Sequence, residues 1–144
     1  MARRYSGFQR GYASTGVNAA VQALREISVD VEQAAKVALK KGVNEIVADA
    51  KSRCPVYAGP ERPDVQPGEL RDSIKAVSKH SGAVYSIEAN AKSLTSGQPY
   101  GLYVEFSPKI NKPFLYPAFD AHSNEVRASI VDAVKRAVRR HRGQ

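Results

Sequence analysis

One cysteine, Cys54, stands in the 144 residues. No disulfide can close within the chain, and a reducing compartment is the default expectation. No apolar run approaches the ~20 residues that a membrane-spanning helix needs. The first residues, Met1 to Phe8, are basic but have no apolar core behind the charges, so they do not read as a secretory signal peptide. Cys54, His80, His122 and His141 are scattered, whereas a zinc site needs its ligands at short spacing, so no metal is expected. Cys54, just before Pro55, reads as a packed thiol without the positioned histidine that a nucleophile needs. Neither GxGxxG nor GxxxxGK[ST] occurs, which removes the usual phosphate-cradling loops. No enzyme and no cofactor are therefore expected.

Acids are also missing, at both ends. None precedes Glu26, although Arg3, Arg4, Arg10 and Arg25 do; none follows Asp132, although Lys135, Arg136, Arg139, Arg140 and Arg142 do. With a net charge of +8, both ends suit an anionic surface, nucleic acid or acidic protein. Arg3, Arg4, Arg10, Arg136, Arg139 and Arg140 are the candidate contacts. The plainer reading of the C-terminal cluster is that its cations complement a helix dipole.

What is present fits one α+β domain. Residues 1–16 form a basic arm with Gly7, Gly11 and Gly16 and no apolar period, through which Tyr5, Phe8 and Tyr12 are spread. The domain is expected over 17–144. A short helix is predicted over Val17 to Ile27, with Val17, Val21, Leu24 and Ile27 on one face. Ser28 and Asp30 offer a break and a new cap. A long helix follows, Val31 to about Arg53, with Val31, Ala35, Ala38, Gly42, Ile46 and Ala50 at three- and four-residue steps. Pro55 stops it. The proline loop Val56 to Gly68 is long for a connection and suggests an interaction element. Glu69 to Ser73 makes one helical turn. Strands are predicted at Ser73 to Ser78 and Ala83 to Asn90, joined through His80-Ser81-Gly82. Ala91 to Gln98 is a second loop.

Pro99 to Ala121 organises the rest, holding six of the eleven aromatic residues and four of the eight prolines. Alternation over Leu102 to Phe106 predicts a further strand, completing an antiparallel sheet of three to four strands packed by a long N-terminal helix and a C-terminal helix. Glu105 is the one acid in that strand. It could be a catalytic carboxylate, but it reads better as facing outward and pairing with an Arg or Lys of a neighbouring strand or subunit. Pro113 and Pro117 bracket the plug Phe114-Leu115-Tyr116. The last helix is predicted from Pro117 or Ser123 to about His141.

Four motifs in order carry a resemblance: Ala50-Lys51-Ser52-Arg53-Cys54-Pro55 at a helix end, Gly68-Glu69-Leu70-Arg71-Asp72-Ser73-Ile74, Tyr100-Gly101-Leu102-Tyr103-Val104-Glu105-Phe106, and Pro113-Phe114-Leu115-Tyr116-Pro117-Ala118. The set, over about Val31 to Val138, resembles the Hong Kong 97 gene-product-ten-like family of tailed-phage neck and tail-completion proteins. Ser107 stands where that family usually has Gly, and Tyr116 where it often has Arg. The resemblance implies a structural virion protein, made in the host cytoplasm, that forms a ring, commonly of six, joining the head connector to the tail. Its implied partners are further copies of itself, connector or adaptor proteins, and a tail terminator or tail tube, with DNA passing through the lumen. Interfaces favour Tyr, Phe and Arg. Arg71, Asp72, Tyr100, Tyr103, Glu105, Phe114 and Tyr116 are the interface candidates. The plainer reading of Phe114 and Phe119 is that they are core residues pinning the last helix. The alternative function is a basic nucleic-acid-binding protein.

Overall fold

The computed structural model describes residues 15–143. The expected arm lies almost wholly outside them, and with it Arg3, Arg4 and Arg10. The described elements are helix α1 (Thr15–Arg53), a one-turn helix α2 (Glu69–Asp72), strands β1 (Ile74–Lys79) and β2 (Val84–Ala89), a short helix α3 (Gly101–Phe106) and a long helix α4 (Leu115–Arg142).

α1 runs unbroken through the predicted break at Ser28 and Asp30. Neither residue is a glycine or proline, so each lowers helix propensity by only a few tenths of a kcal/mol, roughly. Asp30 does not cap a new helix. Its Oδ2 lies 2.6 Å from His141 Nε2 on α4. A second contact of the same kind joins Asp49 Oδ2 to His122 Nε2 at 3.0 Å. The pairs are separated by the same number of residues on each helix and in opposite order, so α1 and α4 lie antiparallel. The predicted apolar stripe is the face α1 turns inward: Gly42, Ile46 and Ala50 are buried, with Val31, Ala35 and Ala38 half-buried. A Cβ at Gly42 would stand 2.5 Å from Val126 Cγ2, so glycine is what lets the helices approach there.

The sheet has two strands, not three or four. β1 and β2 pair antiparallel from Ile74↔Ala89 to Lys79↔Val84. The turn His80–Gly82 holds three successive positive φ angles, of which only Gly82 is a glycine. The predicted strand at Leu102 to Phe106 is helix α3. Its buried members are Gly101, Val104 and Glu105, a helical spacing, while Leu102, Tyr103 and Phe106 are exposed. Over five residues an alternating pattern and a helical one overlap, and the packing decides. Gly101 seats α3 against the sheet edge, since a Cβ there would lie 2.6 Å from the Ala89 carbonyl oxygen.

One core joins these elements through Ile46, Ala50, Cys54, Leu70, Ile74, Ala91, Val104, Phe114, Ala118 and Val126. Burial pushes the Cys54 thiol up to about 11. The fold disfavours the thiolate, so its contribution is complete below the unfolded value of ~8.5 and is lost as pH rises towards 11. Native protein should therefore label with thiol reagents only as fast as it opens, and its urea midpoint should fall between about pH 8.5 and 11; Cys54→Ala should reduce that fall, most clearly below about pH 10. Gly42→Ala should cost about 1–3 kcal/mol in a denaturant titration by overpacking. Adding Val126→Ala should give a coupling energy that recovers part of that cost.

Candidate subunit interface

The C-terminal half is positioned by Glu105. It is 5% exposed and aims its carboxylate at the start of α4. The backbone N–H groups of Phe114 and Leu115 donate to Oε2 at 2.7 and 3.0 Å, and that of Tyr116 donates to Oε1 at 2.9 Å. Pro117 follows, with no N–H to satisfy. A helix N-terminus leaves donors unpaired and carries partial positive charge, and one carboxylate answers both. This corrects the expectation that Glu105 faces outward from a sheet towards a cation. Its α3 position buries it, and its partners are main-chain amides ten or so residues ahead.

The cap fixes where the rings fall. Phe114 is fully buried and the largest such side chain, so it pins α4 to the core and has no surface left for a neighbour. Leu102 (70% exposed), Tyr103, Phe106 and Tyr116 lie open, with Phe119 half open. Phe106 and Tyr116 meet with centroids 5.6 Å apart, a tilted contact linking α3 to α4. Isolated exposed apolar residues are ordinary; several large ones on two adjoining elements mark an interaction surface.

Beside this patch the proline loop folds against α3 and encloses a cleft of about 700 Å³, walled by Val56, Tyr57, Leu70, Tyr100, Tyr103 and Ile110 among others. The Tyr57 hydroxyl donates to the Pro60 carbonyl at 2.9 Å, and Arg62 pairs with Asp64 at 3.2 Å. Tyr100 is half-buried. Its hydroxyl and Glu69 Oε2 are buried without hydrogen-bond partners. Burial first, and then the nearby Glu69 carboxylate, hold the Tyr100 phenol above its usual range.

Arg71 and Asp72 are exposed on α2 and bond to each other at 2.9 Å. That contact holds the Asp72 carboxyl below its ordinary range, but an exposed pair of this kind adds little to stability. Arg136, Arg139 and Arg140 are exposed in the last turns of α4, about 30 to 36 Å along the helix from Tyr116. The structure thus groups Tyr100, Tyr103 and Tyr116 near one end of α4 and sets the basic cluster at the other. Leu102, Phe106 and the cleft residue Ile110 were not singled out as contacts from the sequence. A helical plot of residues 101–106 would have exposed the first two. Among the described residues no metal-ligand cluster occurs, and no helix is long and apolar enough to cross a membrane.

An exposed aromatic surface on a rigidly capped helical scaffold is the build of a protein that works through contacts with other proteins. The HK97-gp10-like family, described as a bacteriophage tail component, matches this chain over residues 18–106, and the chain belongs to that family. The match begins within the N-terminal part of α1 and stops at Phe106, one residue past the carboxylate that caps α4. No curated protein and no solved structure matches the chain. The protein is thus a structural, tail-associated component of a tailed-phage virion.

Removing the cap should be costly. Glu105→Ala leaves three amides at the start of α4 without an acceptor and should lower stability by about 2–3 kcal/mol. Glu105→Gln, which keeps one acceptor oxygen, should lose less. The order of the urea midpoints, with native protein highest and the alanine variant lowest, is the check.

Proposed function

We propose that this chain is a ring-forming neck or tail-completion subunit that joins the head connector to the tail, with copies docking through the surface of Leu102, Tyr103, Phe106 and Tyr116. Family membership supports the setting, and the open aromatic surface carries the reading. Tyr and Phe supply large contact area at low conformational cost. The ring is proposed to be a hexamer. Its further partners would be connector or adaptor proteins on one side and a tail terminator or tail tube on the other. Arg71 and Asp72, exposed beside the core on α2, are candidates for polar contacts at the rim.

The second reading is contact with DNA or another anionic partner. It is favoured by the exposed Arg136, Arg139 and Arg140 and by the arginines of residues 1–14. Phosphate contacts produce a steep loss of affinity with salt.

Size-exclusion chromatography with light scattering should find an oligomer for the native chain. The paired change Phe106→Ser and Tyr116→Ser should shift it towards monomer by at least tenfold in association constant, with the helical circular dichroism preserved. A chain that stays monomeric with neck partners present, yet binds duplex DNA with strong salt dependence, would transfer the conclusion to the second reading.

A further inference from the structure

α1 is longer than the helix that covers it. α4 ends at Arg142, level with Asp30 through the His141 contact. Residues 15–29 of α1 therefore project about 22 Å beyond it. On that projection Val21 and Leu24 are exposed, at 41% and 66%. They continue at helical spacing the stripe that α4 covers lower down. From its tip residues 1–14 lead on, with Tyr5, Phe8 and Tyr12 three and four residues apart, three arginines and no acid. At the opposite end of α1 lies the cleft of about 700 Å³ behind the proline loop, a volume in the range that holds ordinary ligands. Half-exposed Val56 opens on it. The charges that line the cleft are Arg62, paired with Asp64, and Lys112.

The arm cannot fill its own subunit's cleft. α1 separates the two by about 58 Å. Fully extended, the chain from Thr15 back to Phe8 spans only about 25 Å, and back to Tyr5 about 35 Å. The aromatic arm and the aromatic-walled cleft can therefore meet only between two copies.

We propose that residues 1–14 of one copy seat their rings in the cleft of the neighbouring copy, so that the assembly is laced together by arm exchange. This rests on the ring reading and names the two surfaces that such a ring needs, since a head-to-tail contact joins different patches on each subunit. The projecting part of α1 carries the arm clear of its own body and towards the next copy. Tyr5, Phe8 and Tyr12 enter the cleft as anchors among its apolar and aromatic walls.

The test is disulfide trapping in the full chain carrying Phe8→Cys and Val56→Cys; Cys54 is buried and stays silent. Oxidation of the assembled protein should give a ladder of disulfide-linked dimers and larger species, at least tenfold faster than either single-cysteine control. An assembled protein that gives no ladder, or only an intrachain bond, overturns arm exchange and leaves the ring reading standing. A protein that light scattering finds monomeric with neck partners present overturns both. Independently, the full chain with Tyr5→Ser, Phe8→Ser and Tyr12→Ser should associate at least tenfold more weakly. Unchanged association would also sink the proposal, as it would if the arm merely folded back on Val21 and Leu24 of its own helix.

Discussion

The Glu105 carboxylate accepting hydrogen bonds from three successive amides at the start of α4 is the constraint on which the C-terminal half depends. α4 packs along α1, and the direction it takes is set at its first turn. A helix entry inside a protein has no water to satisfy its donors, so either a side chain reaches it or the turn frays. Glu105 reaches it from α3, which is itself held against β2 by the missing Cβ of Gly101. Sheet, short helix and long helix are thereby linked through one carboxylate. The same bonds bury Phe114 and turn Tyr116 outward beside Phe106. The cap thus makes the core and presents the surface together.

Burying a carboxylate is expensive unless its oxygens are bonded. Here the partners are amides at the positive end of a dipole, so no buried cation is needed. Tyr103 and Phe106, on the exposed side of α3, are held by a helix whose opposite side is fixed by Val104 and Glu105. Rings presented in this way lose little freedom when they meet a partner, which lowers the cost of association.

The helices were legible where spacing ran long enough to be unambiguous. The stripe from Val31 to Ala50 predicted the buried face of α1, and both strands, joined through His80-Ser81-Gly82, were placed to within a residue or two. The failures have physical causes. Residues 102–106 satisfy two periods at once, and only contact with Ala89 and Phe114 selects the helix. Asp30 is a plausible local cap, but its partner His141 lies more than a hundred residues away and no local pattern announces it. Glu105 amid apolar neighbours was correctly singled out as unusual, but whether such an acid faces a cation, a substrate or a helix end depends on what the fold brings opposite. The aromatic density of residues 99–121 was visible. Its division into a buried Phe114 and an open Tyr116 was not, because these residues sit on either side of Leu115 and only the capped first turn of α4 separates their directions.

The two His–Asp contacts set how far α4 slides along α1, and so decide which apolar surface is left over. Had α4 run about three turns further, it would have covered Val21 and Leu24. The helix instead stops at Arg142, where a dense basic cluster favours a helix C-terminus but not burial. Among the exposed apolar surfaces are a strip at the N-terminal end of α1 and an aromatic surface near its C-terminal end, separated by most of the length of α1. Surfaces so placed do not pair with their own counterparts across a twofold axis without leaving the other strip bare. Contacts in which unlike ends meet cover both, and the head-to-tail ring proposed above is one arrangement built from such contacts.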